Sequence, residues 1–418
     1  MTRARLGFCA LLLGAGLIGG GVAYAASSKD ETAHNDQSSD EIARGRYLTT
    51  LGDCAACHTD PGGKPYAGGE AIDTPFGVVA TANITPDVET GIGSWSDDDF
   101  VSALQTGRGK DGIRLYPAMP YPYFAKMSRD DILAIRAYLD TLEPVHQRVR
   151  TDQLPFPFKF RFGMLFWNAL FFDRTPFEPV AGKSTEWNRG AYIVEGPGHC
   201  GACHTPKNFL GGDKTSDALH GATLQGWFAS DLTGDKRSGL GDWSSDDIVA
   251  YLKSGRNPHA AATGTMAQVI ADSTSQMRDG DLKAIATYLK DVPAPQQAAA
   301  PAVASTDPAM RAGQAIYIDN CSACHARDGS GVAKLIPPLK DSPNVQSPDA
   351  TSLGRVVLHG TQSVATAAAP TGPSMPAFGW KLTDQQAASV LTYIRNSWGN
   401  AASAVNADQI ADLRSPSR

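Results

Sequence analysis

The sequence predicts an all-α protein made of three tandem copies of one small helical domain. A Cys-x-x-Cys-His motif occurs three times, beginning at Cys54, Cys200 and Cys321. Each copy ends in a similar amphipathic segment, in which a tyrosine precedes a leucine or an isoleucine. Since an internal repeat indicates one structural unit per copy, three units are expected. The chain shows neither a βαβ pattern nor a run of alternating strands, which favours helices.

Length and composition limit the class of protein. The chain has 418 residues, more than one hydrophobic core usually supports, so several domains are expected. Its 7 tryptophans, 12 tyrosines and 15 phenylalanines exclude a chain that is disordered throughout. The formal net charge of −6 argues against nucleic acid as a partner.

The first 25 residues are typical of a secretory signal peptide. Arg3 and Arg5 precede an uncharged apolar run, and Ala23-Tyr24-Ala25 forms a small-x-small cleavage site. We therefore expect export to the bacterial periplasm. A retained anchor is the alternative, because the apolar run is about as long as a membrane span. Cys9 lies too early in this run for a lipoprotein signal.

The repeats divide the chain into domains and linkers. We expect a signal peptide (1–25), a first domain (26–144), an aromatic linker (145–184), a second domain (185–291), a Pro/Ala linker (292–307), a third domain (308–398) and a polar tail (399–418). Long loops rich in glycine and proline lie inside each domain. A domain with so few helices would have a poor hydrophobic core, unless a large apolar group fills the centre of the domain.

Capping residues predict where the helices begin. A first helix should open near Glu41, Thr185 and Pro308 and run into the Cys motif. A final helix should begin after Ser128, Asp279 and Thr383, where polar side chains can cap an N-terminus. The aspartates at 97–99 and 246–247 indicate helix starts rather than metal sites. A short helix is also expected around 408–413.

The three motifs fit covalent haem attachment. Two thiols add to the two vinyl groups of one porphyrin, and the adjacent histidine becomes an iron ligand. The predicted attachment residues are Cys54, Cys57, Cys200, Cys203, Cys321 and Cys324, and the predicted histidine ligands are His58, His204 and His325. A redox dithiol would require a βαβ context, and zinc ribbons would require two cysteine pairs for each metal. Three covalent haem c groups are therefore expected.

Methionine is the expected sixth ligand of a haem that only carries electrons. Repeat alignment selects Met119, Met266 and Met375, whereas Met127 and Met277 should pack at the start of the final helix. The alternative is a core methionine beside an iron that is open or has a second histidine. His199 should be held away from iron by the motif. His220, His259 and His359 should lie in loops, at the surface or the haem edge, and His34 and His146 should lie outside the cores.

Beyond the motifs, three stretches carry a family resemblance: 189–200, which reads Arg-Gly-Ala-Tyr-Ile-Val-Glu-Gly-Pro-Gly-His-Cys, Gly226-Trp227-Phe228-Ala229, and Gly241-Asp242-Trp243-Ser244. With the tandem arrangement, they make the chain resemble the triheme cytochrome c subunits of bacterial membrane-bound dehydrogenases. The resemblance covers nearly all of residues 40–400. It implies three class I-like cytochrome c domains.

The resemblance also implies a function. Such a subunit has no catalytic residues of its own and takes electrons from a catalytic dehydrogenase subunit that oxidises an alcohol, an aldehyde, gluconate or fructose. It passes the electrons to ubiquinone at the periplasmic face of the inner membrane, in a complex that also contains a further small subunit. The tail of this chain is shorter and more polar than the amphipathic C-terminus of some members.

Two other functions remain as alternatives. A multihaem enzyme, such as a peroxidase or an oxyanion reductase, would need an open or displaceable iron ligand. A free periplasmic electron shuttle should have a polar linker. No hydrolytic or hydride-transfer motif occurs in the sequence.

The linker is instead strongly aromatic. Eight of the fifteen phenylalanines lie between Phe156 and Phe177. A helix over 160–172 would span only about 20 Å, which is too short to cross a bilayer. Lys159 and Arg161 would suit an interfacial anchor, so we expect docking to the membrane or the dehydrogenase, near where quinone enters. Packing between the first two domains is the alternative.

Overall fold

The computed structural model describes residues 38–151, 153–295 and 300–415. The predicted signal peptide, Cys9 and His34 lie outside the described residues. Within those residues the chain forms seventeen α-helices and six short strands, which confirms a mainly helical fold. The strands were not predicted, and they form three two-stranded antiparallel hairpins. In the second hairpin, Gln225 and Gly226 both have positive φ, as a tight two-residue turn requires.

The elements fall into three similar regions in chain order. The first contains α1 (Ser39–Leu51), α2 (Cys54–His58), β1 (Ala71–Thr74), β2 (Gly77–Ala80), α3 (Asp97–Thr106), α4 (Tyr121–Phe124) and α5 (Arg129–Leu139), and α6 (Met164–Phe171) follows it. The second contains α7 (Thr185–Glu195), α8 (Gly201–His204), β3 (Ala222–Leu224), β4 (Trp227–Ala229), α9 (Ser245–Ser254), α10 (Gly264–Asp272) and α11 (Asp279–Leu289). The third contains α12 (Pro308–Asn320), α13 (Ser322–His325), α14 (Pro343–Gln346), α15 (Thr351–His359), β5 (Thr361–Gln362), β6 (Ser374–Met375), α16 (Asp384–Arg395) and α17 (Ala407–Arg414).

Side-chain capping contacts explain the starts of eight of the seventeen helices in the described residues. Ser96 and Ser244 form capping boxes with aspartates three residues later, so the aspartate runs do begin α3 and α9. Ser128 and Thr383 cap α5 and α16 as predicted. The prediction for α11 was wrong by one residue, because this helix already includes Asp279 and has no side-chain cap.

The first helix ends before the Cys motif in the first and second regions instead of running into it, whereas α12 of the third region reaches Asn320, directly before Cys321, as predicted. Asp53 and His199, which directly precede the first cysteine of their motifs, have left-handed backbone conformations with φ of 51° and 36°. A continuous α-helix cannot accommodate positive φ, so the chain turns and restarts in the short helix that carries the motif. In the third region, α12 ends at Asn320, and α13 begins two residues later.

A close helix crossing is repeated in all three regions. The first helix packs against the last helix in the pairs α1–α5, α7–α11 and α12–α16. At each crossing a glycine faces a backbone oxygen, and a Cβ on that glycine would lie 1.7–2.1 Å from the oxygen: Gly45 and Ala134, Gly190 and Ala284, Gly313 and Ser389. No larger residue fits without separating the helices, which explains the glycine at the same place in each repeat.

The first region contributes side chains to the core of the second. Leu51, at the end of α1, belongs to the buried cluster of the second region together with Ile193 and Leu282. Tyr47, one turn earlier on α1, donates a 2.6 Å hydrogen bond to Asp281 of α11. Arg189 donates a second bond, of 2.7 Å, to the same carboxylate. Burial alone would raise the pKa of Asp281, but these bonds outweigh burial and lower this pKa below its ordinary value.

The same contact occurs with the two regions exchanged. Tyr192 of α7 donates to Asp131 of α5, and Arg44 pairs with that carboxylate at 2.6 Å. Arg44 and Arg189, Tyr47 and Tyr192, and Asp131 and Asp281 occupy equivalent positions in the repeat. Each region therefore supplies a tyrosine to the other region's Arg–Asp pair. We call these two contacts the reciprocal clamp.

The aromatic segment has two faces. On the inner face of α6, Asn168 is buried and accepts a 2.6 Å bond from Tyr121, while the Trp167 indole donates to the Leu210 carbonyl. Phe171 lies against Gly212. The predicted alternative, packing between the first two regions, therefore describes this face.

The outer face is exposed and apolar. Phe156, Phe166 and Leu170 keep 67–75% of their surface accessible, and Phe162 and Leu165 are exposed beside them. Phe209 of the second region adds another exposed ring. No helix among the described residues is long and apolar enough to cross a membrane.

Candidate haem attachment sites

The three Cys-x-x-Cys-His motifs occupy the same structural position. Each lies directly after the first helix of its region, in the short helix α2, α8 or α13. None of the six motif cysteines is in a disulfide. Burial raises the pKa of Cys54 and of Cys200 to about 12 and that of Cys321 to about 11. Burial therefore favours the neutral thiol form of Cys54, Cys200 and Cys321.

The motif histidines are oriented by backbone carbonyls. The distance from Nδ1 of His58 to the Ala82 oxygen is 2.7 Å, and that from Nδ1 of His204 to the Ser230 oxygen is 2.6 Å. A carbonyl can only accept, so Nδ1 must carry the proton and Nε2 keeps its lone pair. Metal-bound histidines are usually oriented in this way.

The third motif differs in detail. The Pro337 carbonyl faces the His325 ring, but the geometry falls short of a hydrogen bond, and Nδ1 is buried without a partner. Burial lowers the pKa of His58, His204 and His325 alike. All three imidazoles are thus favoured in the neutral form, which is the form that binds a metal.

The methionines divide into two groups. Met127 and Met277 are almost fully buried in the cores of the first and second regions, in keeping with a packing role. Met119 and Met375 are half-buried at the edge of a core and precede a proline. Met266 is half-buried within α10, so its local structure differs from that of the other two. Iron ligation by Met119, Met266 and Met375 stays a prediction.

The spare histidines make contacts of their own. His199 is buried, with Nε2 3.2 Å from the Gly52 oxygen and its ring against Phe124. His259 stacks on Trp243, and His146 lies near Asp87. His359 ends helix α15 and contacts the Leu413 carbonyl, so its predicted place in a loop was wrong.

Unpartnered buried atoms test whether the residues fit a haem. Buried polar atoms normally have a hydrogen bond partner, so exceptions mark places where a further polar group belongs. Among the described residues, buried side-chain atoms without a partner are Asp53 Oδ1, Thr81 Oγ1, Trp243 Nε1, His325 Nδ1 and Arg355 Nε. Asp53 adjoins Cys54, Thr81 adjoins the carbonyl that orients His58, and His325 is in a motif. A porphyrin with carboxylate groups fits this mixture of thiols, imidazoles and unpaired polar atoms.

The first and second motifs lie close together. His199, next to Cys200, contacts Gly52 near Cys54, as described above. The Tyr123 ring lies against Gly201, inside the second motif. The sulfur of Cys203 is near enough to contribute to the raised pKa of Cys57. These contacts place the attachment edges of the first two sites beside each other.

Sequence analysis missed the residues that join the regions. The reciprocal clamp was detectable in part, because Tyr47 and Tyr192 follow Arg44 and Arg189 at the same spacing. Its aspartates are far away in sequence, so no local pattern links them to the tyrosines. Arg355 of α15 could not be selected from the sequence, because the residues around it do not recur in the other two repeats.

Comparison with known proteins shows the family. The sequence model of the cytochrome c family matches residues 42–143 and 310–398; Cys200 and Cys203 lie outside the matched ranges. The chain is 43% identical over 402 residues to the gluconate 2-dehydrogenase cytochrome c subunit of Pantoea cypripedii, covering 91% of each chain. It is 41% identical to the alcohol dehydrogenase (quinone) cytochrome c subunit of Gluconobacter oxydans (strain 621H), covering 91% of this chain and 84% of the relative. Identity to the fructose dehydrogenase cytochrome subunit of Gluconobacter japonicus is 35%, covering 89% and 82%.

Proposed function

Because this chain belongs to the family of cytochrome c subunits of dehydrogenases, we propose that it carries three covalent haem c groups and transfers electrons within a dehydrogenase complex. The observation that carries the proposal is the repetition of one local arrangement. In each region, a motif with two thiols and a neutral histidine follows a helix that is fixed by a glycine crossing. The same arrangement in the second region supports a haem there, although the family model does not match it.

Each side chain has a defined part in this proposal. Haem iron supplies one-electron chemistry by alternating between Fe(III) and Fe(II). The cysteines of each motif hold the porphyrin edge through thioether bonds. The carbonyls of Ala82 and Ser230 orient two of the histidines through Nδ1, which would leave Nε2 free to hold the iron. We propose Met119, Met266 and Met375 as the opposite ligands, which would raise the potentials.

The partners follow from the relatives and their names. A catalytic dehydrogenase subunit would reduce this chain, and a further small subunit would complete the complex. One relative is named as an alcohol dehydrogenase (quinone) subunit, which supports a quinone as the acceptor; we propose that this quinone is ubiquinone. Export through residues 1–25 would place the complex at the periplasmic face of the inner membrane.

Purification of the complex tests this function. A tagged full-length chain, isolated from membranes in mild detergent, should co-purify with a dehydrogenase catalytic subunit. Gluconate, ethanol and fructose are then added in turn, and one should reduce the haems, as measured by absorbance. A chain that purifies alone and whose iron binds cyanide at once would instead indicate a separate haem enzyme. Recovery in the soluble periplasmic fraction would indicate a free shuttle.

The proposed ligands can be tested one at a time. Replacement of Met119, Met266 or Met375 by alanine should each remove one low-spin Met/His haem signal and lower one midpoint potential, because the iron loses its thioether ligand. Redox titration followed by optical and electron paramagnetic resonance spectra measures both effects. Met127→Ala and Met277→Ala are matched controls, which should lose about 2–5 kcal/mol of stability but no haem signal. If either control abolishes a signal, the assignment of ligands is wrong.

We propose that the outer face of the aromatic segment rests on the lipid surface. It presents several adjacent apolar side chains, more than an isolated exposed residue accounts for. The composition of the aromatic linker (145–184) also favours anionic lipid, because it has six cations (Arg148, Arg150, Lys159, Arg161, Arg174, Lys183) and three carboxylates (Asp152, Asp173, Glu178), whereas the chain as a whole is acidic. Aromatic rings flanked by cations suit the headgroup boundary.

A surface variant tests this contact. Phe162, Leu165, Phe166 and Leu170 are changed together to serine, which leaves the inner face of α6 intact. The haem-loaded variant should no longer sediment with phosphatidylethanolamine–phosphatidylglycerol vesicles, whereas wild type should. Val88, Val332 and Leu335, exposed apolar residues elsewhere, are changed to serine as the control. Unchanged vesicle binding by the α6 variant would exclude the lipid contact, and loss of the dehydrogenase instead would show that this face binds protein.

A further inference from the structure

The stretch Gly226-Trp227-Phe228-Ala229 stands out in the sequence, yet the proposed function gives it no part. In the structure it forms the turn into β4 and β4 itself. This strand contacts α10 of the second region on one side and α15 of the third region on the other. It is therefore a direct link between the second haem site and the third region.

On the side of the second region, β4 touches the segments of both proposed iron ligands. A Cβ on Gly264 would lie 2.6 Å from the indole of Trp227, and Gly264 has a φ of +55°. Gly264 is the first residue of α10, and Met266 lies two residues later in the same helix. The carbonyl of Ser230, directly after β4, accepts from His204. The indole thus fixes the start of the methionine helix, and the strand end fixes the histidine.

On the side of the third region, polar contacts hold β4 in place. The Ser352 hydroxyl bonds to both the N–H and the carbonyl of Phe228, at 2.9 and 3.1 Å. Asn344 accepts a 2.7 Å bond from the Ser230 hydroxyl. The strand can therefore move away from the second site only if it leaves the third region as well.

Arg355 of α15 completes the link. Its guanidinium carbon lies 4.9 Å from the centre of the Trp227 ring, which is a cation–π contact. Its Nε is buried without a hydrogen bond partner. A positive charge from the third region is thus held against a ring that packs on the methionine segment of the second.

We propose that Trp227 is a positioning residue for Met266 and that Arg355, acting through Trp227, sets the potential of the second haem from the third region. This inference rests on the proposed function, since it takes Met266 and His204 as the iron ligands. A nearby positive charge favours Fe(II) over Fe(III), so Arg355 should raise the potential of the second haem. The attachment of the third region to the second then influences the midpoint potential of the second haem.

Redox titration of the full-length holoprotein tests the proposal. Arg355→Ala should lower one of three midpoint potentials and leave the other two unchanged. The potential that shifts should be the one altered by Met266→Ala. Arg355→Lys keeps the charge, so the midpoint potential of the second haem should stay close to the wild-type value. Arg237→Ala is the control, because Arg237 also joins the two regions, through Gln346 and the Ala401 carbonyl, but does not touch β4.

Substitution of Trp227 tests the positioning role separately. Trp227→Ala should remove about one third of the long-wavelength absorption band that Met–Fe(III) bonds produce, whereas Trp227→Phe should keep most of it. If both substitutions at Arg355 leave all three potentials unchanged, or if the potential altered by Met375→Ala shifts instead, the coupling is refuted. A full Met–Fe band in Trp227→Ala refutes the positioning role. If wild type holds no haem at the second motif, the proposed function itself fails, which is a different result.

Discussion

The contact between a glycine in the first helix and the backbone of the last helix constrains the rest of each region. A side chain at Gly45, Gly190 or Gly313 would overlap a backbone oxygen of the opposite helix. The helices can therefore approach closely enough for the following turn and motif to take a fixed position. Two of the motif histidines then meet a loop carbonyl that orients the ring. The chemistry of the motif thus depends on a packing contact between main chains.

The regions are joined in two different ways. Leu51 of the first region is buried in the core of the second, and the two regions exchange tyrosines in the reciprocal clamp. Each clamp carboxylate has both a guanidinium and a hydroxyl partner, which compensates for the cost of burying its charge. The third region instead binds the second through β4, where the Ser352 hydroxyl bonds to the Phe228 backbone and Asn344 accepts a hydrogen bond from the Ser230 hydroxyl. Among the described residues, the third region has no counterpart of the reciprocal clamp. It is therefore attached to the second region by a different surface.

The sequence predicted what depends on local chemistry. Ser128, Thr383 and the aspartates at 97–99 and 246–247 marked helix starts correctly, because a cap lies within one turn of the groups that it satisfies. The motif positions and the buried state of Met127 and Met277 followed from the repeat. The regular spacing of the motifs also suggested that their histidines act alike, yet His325 lacks the hydrogen bond that its two counterparts have.

What the sequence missed depends on tertiary contacts. The hairpins are too short to show a strand pattern, and β4 is defined by its pairing with β3. The two faces of α6 could not be separated, because apolar residues occupy both. Phe171 packs on Gly212 and Asn168 bonds to Tyr121, both far away in the chain, whereas Phe166 is exposed on the other face. The predicted extension of the first helix into the motif failed in the first two regions, since the left-handed turn at Asp53 and His199 has no sequence mark.

The central claim is that each of three equivalent regions holds one covalent haem. The most direct measurement is the intact mass of the purified chain after acid–acetone extraction, which removes any haem that is not covalently attached. The account predicts the mass of the polypeptide plus three haems, and plus two in a variant with Cys200 and Cys203 changed to serine. A wild-type mass with two haems, unchanged by that substitution, would contradict the claim for the second region, and a mass without haem would contradict it altogether.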